Sequence, residues 1–219
     1  MTQGAVSRFP DPRSGPVDAP LAVGGDLEPA TLLDAYAHGI FPWPLDEQTI
    51  FWWSPDPRAV IPLDGLHVSR SLRRTLRSGR FCCSVDRAFA AVVAGCAYRP
   101  GQGTWITGEL AGAYLRLHQQ GHAHSVEVWD RDRRLAGGVY GVALGGAFMA
   151  ESMFHRVSDA SKVALAHLVE RLREGGFVLL DAQLPTAHLA SLGAVEVARS
   201  QFLDRLAAAL RLPAHLTDD

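Results

Sequence analysis

Cysteine is scarce: the chain of 219 residues has three, Cys82, Cys83 and Cys96. They form no C-x-x-C pair, and their odd number argues against a disulfide framework, so buried thiols are expected. Long apolar runs are missing too. None reaches the roughly 18–20 residues of a membrane helix, and the first stretch holds scattered prolines and acids, unlike a secretory signal. A cytoplasmic chain with no membrane contact is expected. Lysine is almost absent: of 21 basic residues only Lys162 is one, against 23 acids and a formal net charge of −2. No Gly-x-Ser-x-Gly elbow occurs, and Ser152 has no evident His–Asp relay, which argues against a covalent acyl-enzyme. His118 and His122 have the spacing of a helical metal pair, but Gly121 ends the helix between them and no neighbouring Cys or acid completes a site, so no metal is expected. "GGVYGVALGG" lies between strands and opens no helix, so it is not a dinucleotide fingerprint.

Hydrophobic residues make up 47% of the chain, enough for a packed core. Residues 1–62 mix prolines, glycines and aromatics around a short helical pattern (Leu32, Leu33, Tyr36) that stops at Gly39, and read as a small N-terminal domain. Residues 63–219 are more regular. "SRSLRRTLRSG", "DRAFAAVVAGCA" and "TGELAGAYLRLHQQG" have helical spacing, the last with Thr107 as N-cap. "HSVEVWD", "LAGGVYGVALG" and "GAFMAESMF" form a meander. A helix from Ser158 or Asp159 to Gly175 follows, then the apolar strand "FVLLDAQ" and the helix "QFLDRLAAAL". Meander, crossover helix and further strand give an α+β order with a central, mostly antiparallel sheet. That order resembles the GNAT acyltransferase fold, in which the strands flanking the crossover helix splay apart.

In GNAT enzymes that use acyl-CoA, a glycine-rich loop at the crossover helix holds the pyrophosphate. Here the loop is "HRVSDASK". It has no glycine, and Asp159 puts a negative charge where the phosphate would sit. An acyl-CoA-dependent GNAT enzyme is therefore the alternative reading. "LAVGGDL", "GIFPWP", "FWWSPDPRAVIP", "HVSRSLRR", "GTWIT", "AHSVEVW", "ESMFHR", "DASKVAL", "DAQ" and "HLASLGA" occur in order, and together they closely resemble the leucyl/phenylalanyl-tRNA–protein transferases. The resemblance implies a small N-terminal domain followed by a GNAT-like catalytic domain. It also implies transfer of leucine or phenylalanine, and weakly methionine, from aminoacyl-tRNA to the N-terminal Arg or Lys of a protein, which marks that protein for degradation. No cofactor is implied, and a monomer needs no special feature.

Arg70, Arg73, Arg74 and Arg77 recur at spacings of three and four, with Arg80 just beyond. This basic stripe can follow tRNA phosphates, or it is a solvated helix face. Trp52, Trp53 and Trp105 are candidates for stacking on the terminal adenosine, Trp105 with one of the neighbouring pair; core packing is the competing reading. Phe148, Met153 and Phe154 are candidates for the aminoacyl pocket that the family has beside this motif, with core packing the stronger reading for Phe154. Strict alternation puts Phe148 with Ser152 and Glu151 with Met153, unless a bulge intervenes. Glu151 is a carboxylate in an apolar strand, costly unless paired; the acceptor's cationic N-terminal residue would supply the partner. Asp181 and Gln183 match the family's Asp-x-Gln motif, to which the resemblance assigns the catalytic role. Asp181 would orient the attacking amine directly or through Gln183, as general base or as electrostatic anchor. Ala150, His155 and Thr186 depart from the family pattern and bear on pocket shape or acceptor preference.

Overall fold

Proline at position 29 lacks an N–H that a helix's first turn could not use, and its ring presets φ, so it starts a helix readily. The helix α1 (Pro29–Ala37) follows, and Gly39, at φ 73°, turns the chain out of it. The computed structural model describes residues 7–44, 49–98, 101 and 103–216; positions 45–48 of the aromatic, proline-flanked stretch lie outside them. Around α1 stand β1 (Ala22–Val23), β2 (Phe41–Pro42) and β3 (Phe51–Trp53), which pair antiparallel in the order β1-β3-β2.

The larger sheet has seven strands: β4 (Arg58–Val60), β5 (Cys82–Val85), β6 (Ala123–Trp129), β7 (Leu135–Leu144), β8 (Ala147–His155), β9 (Leu179–Gln183) and β10 (Val195–Val197). Their order is β10-β4-β9-β8-β7-β6-β5, and every neighbouring pair is antiparallel except β8 with β9. The helices are α2 (Arg70–Arg77), α3 (Phe89–Ala97), α4 (Gly108–Gln119), α5 (Ala160–Glu174), the short α6 (Ala187–Ser191) and α7 (Arg199–Ala209). One core cluster joins residues of α1, α3, α4 and α7 to one side of the sheet, and a second joins α2 and α5 to the other. The protein is thus α+β with a central, mostly antiparallel sheet.

Several expectations change in detail. β4 belongs to the large sheet, so the change of composition at residue 62 falls after a strand that already pairs with β9 and β10. β5, α6 and β10 give no clear periodic signal because each has only three to five residues. Cys82 is exposed on the edge strand β5, and of the three thiols only Cys96 is fully buried. Thr107 caps α4 as expected, accepting from the Leu110 N–H at 3.2 Å.

Candidate active site

β8 and β9 pair over only three residues, ending at Met149 opposite Asp181. Beyond that point both strands leave regular geometry. On β8, Ala150 faces Gly141 and Ser152 faces Tyr140, so Glu151 is an extra, bulged residue. On β9, Gln183 has φ 63°, a left-handed conformation that costs a residue with a Cβ about 1–3 kcal/mol and persists only where its surroundings hold it. The gap is bridged by side chains: Gln183 Nε2 donates to Glu151 Oε1 at 2.7 Å. A cavity of about 600 Å³ opens at this divergence, with Glu151, Gln183 and Met153 in its lining. Trp43 and Trp105 stand on its wall, stacked on each other with centroids 4.9 Å apart at 13°. Asp159, Ser161 and Lys162, at the start of α5, also line it.

Hydrogen bonds fix the two central groups from behind. Asp181 is fully enclosed: Arg58 Nε donates to its Oδ1 at 2.8 Å and Arg58 Nη2 to its Oδ2 at 2.6 Å. The same Oδ1 accepts the Gln183 backbone N–H at 2.9 Å. Glu151 is 8% exposed and accepts from the Tyr114 hydroxyl at 2.5 Å, which in turn lies 2.9 Å from the Tyr36 hydroxyl. Burial raises the Glu151 carboxyl to about 7, with the Asp181 charge adding to the rise, while bonds from Tyr114 and Tyr36 and the Arg58 charge oppose it. Burial, and next the Glu151 charge, hold both tyrosines well above the ordinary phenol range, so they donate rather than ionise.

The bulge overturns the strict alternation. Phe148 and Met153 pack on the α5 side, whereas Glu151 reaches Tyr114 in the opposite core cluster. Of the three pocket candidates only Met153 lines the cavity. Phe148 is 1% exposed and meets the Phe177 ring edge-on in the core, and Phe154, partly buried, lies over Gly95 of α3 and packs against the other core cluster. Trp52 is 1% exposed with its indole N–H on the Gly24 carbonyl, so it offers no face to a base. Trp53 is half-buried, donates to the Trp43 carbonyl and does not line the cavity. The cavity's aromatic pair is Trp105 with Trp43, a residue overlooked between the prolines of "FPWP". Asp181 does not line the cavity either; it lies behind Gln183, whose backbone N–H it accepts. Arg70, Arg73, Arg74, Arg77 and Arg80 are all exposed, on α2 and just after it, and Thr75 of that helix bonds Asp159 at 3.4 Å. Arg58, Tyr36 and Tyr114 were not anticipated; a lone charge in the apolar run "PRAVIP" carried the same signal as Glu151. Asp86, distant in sequence, lies 2.6 Å from His124 and 3.8 Å from His118, an acid that the histidine spacing did not reveal. Among the described residues, no group of three or more His, Cys, Asp or Glu is arranged to hold a metal ion.

Residues 60–207 match the family model of leucyl/phenylalanyl-tRNA protein transferase, and residues 25–56 match the model of that enzyme's N-terminal domain. The chain belongs to the leucyl/phenylalanyl-tRNA–protein transferase family. A transferase of that name from Anaeromyxobacter sp. (strain K) is 57% identical over 208 residues, covering 94% of this chain and 89% of the relative. One from Oleidesulfovibrio alaskensis is 53% identical over 212 residues, covering 94% and 86%. Among solved structures, a GCN5-related N-acetyltransferase from Kribbella flavida is similar with a TM-score of 0.42 at 14% identity, covering 78% of this chain and 61% of that one. As a member of the leucyl/phenylalanyl-tRNA–protein transferases the protein is an aminoacyltransferase, with aminoacyl-tRNA and a protein as the substrate classes the family implies. Among the described residues, no helix is long and apolar enough to cross a membrane.

Proposed function

We propose that the cavity between β8 and β9 receives the leucyl or phenylalanyl end of an aminoacyl-tRNA and joins it to the N-terminal Arg or Lys of an acceptor protein. The observation that carries this reading is the Gln183–Glu151 bridge across the parted strands, with the tryptophan pair beside it. The terminal adenosine stacks on the open side of the Trp43–Trp105 pair, a contact available to every tRNA. The aminoacyl side chain lies against Met153 and the apolar wall. Such a wall separates aliphatic side chains by only about 1–3 kcal/mol per methylene but rejects charged ones, so methionine enters weakly. The acceptor's cationic side chain is matched by Glu151 and Asp159, two carboxylates on the cavity wall.

The ester is already activated, and an α-amine with a pKa of ~7.7–8.0 is roughly a tenth neutral at pH 7, so positioning supplies much of the acceleration. Because Gln183 Nε2 is committed to Glu151, its Oε1 is the atom left to accept an N–H of the attacking amine. The amine nitrogen bonds the carbonyl carbon, the bond from that carbon to the ribose oxygen breaks, and the amine's proton ends on the released 3′ hydroxyl. Asp181 holds the Gln183 backbone and anchors this arrangement. A protein so extended begins with Leu or Phe, the signal for degradation. Asp159 at the head of α5 disfavours the pyrophosphate of a CoA donor at that helix. Radiolabelled leucyl-tRNA incubated with a peptide beginning with Arg and with one beginning with Ala tests the proposal. Label passes to the Arg peptide only; equal labelling of both, or of neither, contradicts it.

A further inference from the structure

Arg58 is 1% exposed, and its guanidinium makes three directed bonds: two form a fork on Asp181, and Nη1 donates to the Gly39 carbonyl at 3.0 Å. Its plane is held between the rings of Phe41 and Phe202, whose centroids lie 4.8 and 4.5 Å from Cζ. Only a planar five-donor group satisfies that set; an ammonium on a flexible stem does not. Apart from the Arg58 fork, Asp181 Oδ1 accepts the Gln183 N–H, the bond that points toward the cavity. That bond holds a residue with a Cβ at φ 63°. The side-chain end of Gln183 is fixed separately, through Glu151, Tyr114 and Tyr36 of α1. Both arms begin in the α1–β2 segment, at Tyr36 and at Gly39 with Phe41, two residues before Trp43.

On the reading of the site given above, we infer that Arg58 is a positioning residue for aminoacyl transfer: it clamps Asp181 so that Gln183 presents its amide to the amine, and it ties that geometry to the segment bearing Trp43. Arg58 touches no substrate. Its loss therefore lowers turnover rather than donor binding.

Arg58→Lys keeps the charge and removes the fork. Arg199→Lys is the matched control, because Arg199 is also buried and ties α7 to the N-terminal segment through the carbonyls of Gly15, Pro16 and Ser54, with no bond to Gln183. The expected result is a kcat about 100-fold lower for Arg58→Lys, as misplacement of a reacting group produces, with KM for leucyl-tRNA within about twofold, while Arg199→Lys lowers Tm and leaves kcat intact. Asp181→Asn shows the same kcat loss, and the double variant is no worse than either single one, because both break one arm. Backbone hydrogen exchange at Gln183 rises in Arg58→Lys and Asp181→Asn but not in Arg199→Lys. An unchanged kcat and unchanged Gln183 exchange in folded Arg58→Lys, or losses that multiply in the double variant, overturn the inference. If Arg58→Lys does not fold, Asp181→Asn alone decides by the same two readouts. A wild-type protein that transfers no leucine refutes the functional reading instead, and Gln183 exchange still decides whether the clamp exists.

Discussion

Glu151 gives the most quantitative handle on the site. Its carboxyl is raised from the ordinary 4.5 to about 7, chiefly by burial. An unfolded chain loses this proton as the pH passes about 4.5, whereas the folded protein keeps it until about 7. The folded state binds the proton more tightly across that window, so stability falls as the pH rises through it and is level on either side. At ~1.4 kcal/mol per tenfold change in proton affinity, the loss is about 3 kcal/mol, a sizeable share of the ~5–15 kcal/mol of a typical domain. Other groups titrate in the same range, so the decisive quantity is the difference between wild type and Glu151→Gln, measured by urea unfolding from pH 4.5 to 8. The variant does not titrate at this position, and the gap between the two curves shifts in its favour by about 3 kcal/mol over the window. Parallel curves would show that the carboxyl is not perturbed and would refute the reasoning. The same variant should lose its preference for basic N-termini; full selectivity would remove Glu151 from acceptor recognition.

Three further outcomes follow from the placement of aromatics and arginines. Trp43→Ala should raise KM for leucyl-tRNA by roughly tenfold or more, the ~1–3 kcal/mol of one base stack, as steady-state kinetics will show. Trp52→Ala should instead destabilise the fold by about 3–5 kcal/mol and leave KM in place, a contrast that chemical denaturation detects. Arg73→Ala with Arg77→Ala should reduce the slope of log affinity for tRNA against log salt by about 1.5, the share of two phosphate contacts; an unaltered slope removes α2 from the RNA path.

Much of this architecture was legible because the longer elements announce themselves: the meander β6–β7–β8, helix α4 with its Thr107 cap, and α5 between Asp159 and Gly175. Glu151 stood out because a charge inside an apolar strand demands a partner, and Asp181 with Gln183 through the resemblance to the family's Asp-x-Gln motif. What stayed hidden was who the partner is. Arg58 meets Asp181 across 123 positions of sequence, and Tyr36 meets Tyr114 across 78, so no local pattern encodes either pairing. The bulge at Glu151 moved Phe148 and Met153 onto one side of the sheet, a shift of register that alternation cannot show in advance. Tryptophans fail as local signals for a related reason: Trp52 and Trp43 sit in equally proline-rich surroundings, and only the three-stranded sheet decides which is enclosed and which faces the cavity.

The central claim is that the opening between β8 and β9 holds an RNA-borne aminoacyl group. A crystal structure with a hydrolysis-resistant 3′-leucylamido adenosine bears on it most directly. The account predicts the base stacked against Trp43 and Trp105, the leucyl side chain against Met153, and the carbonyl within hydrogen-bonding reach of an amine placed at Gln183 Oε1. Density for the analogue elsewhere on the protein, with the β8–β9 cavity occupied by solvent, would contradict it.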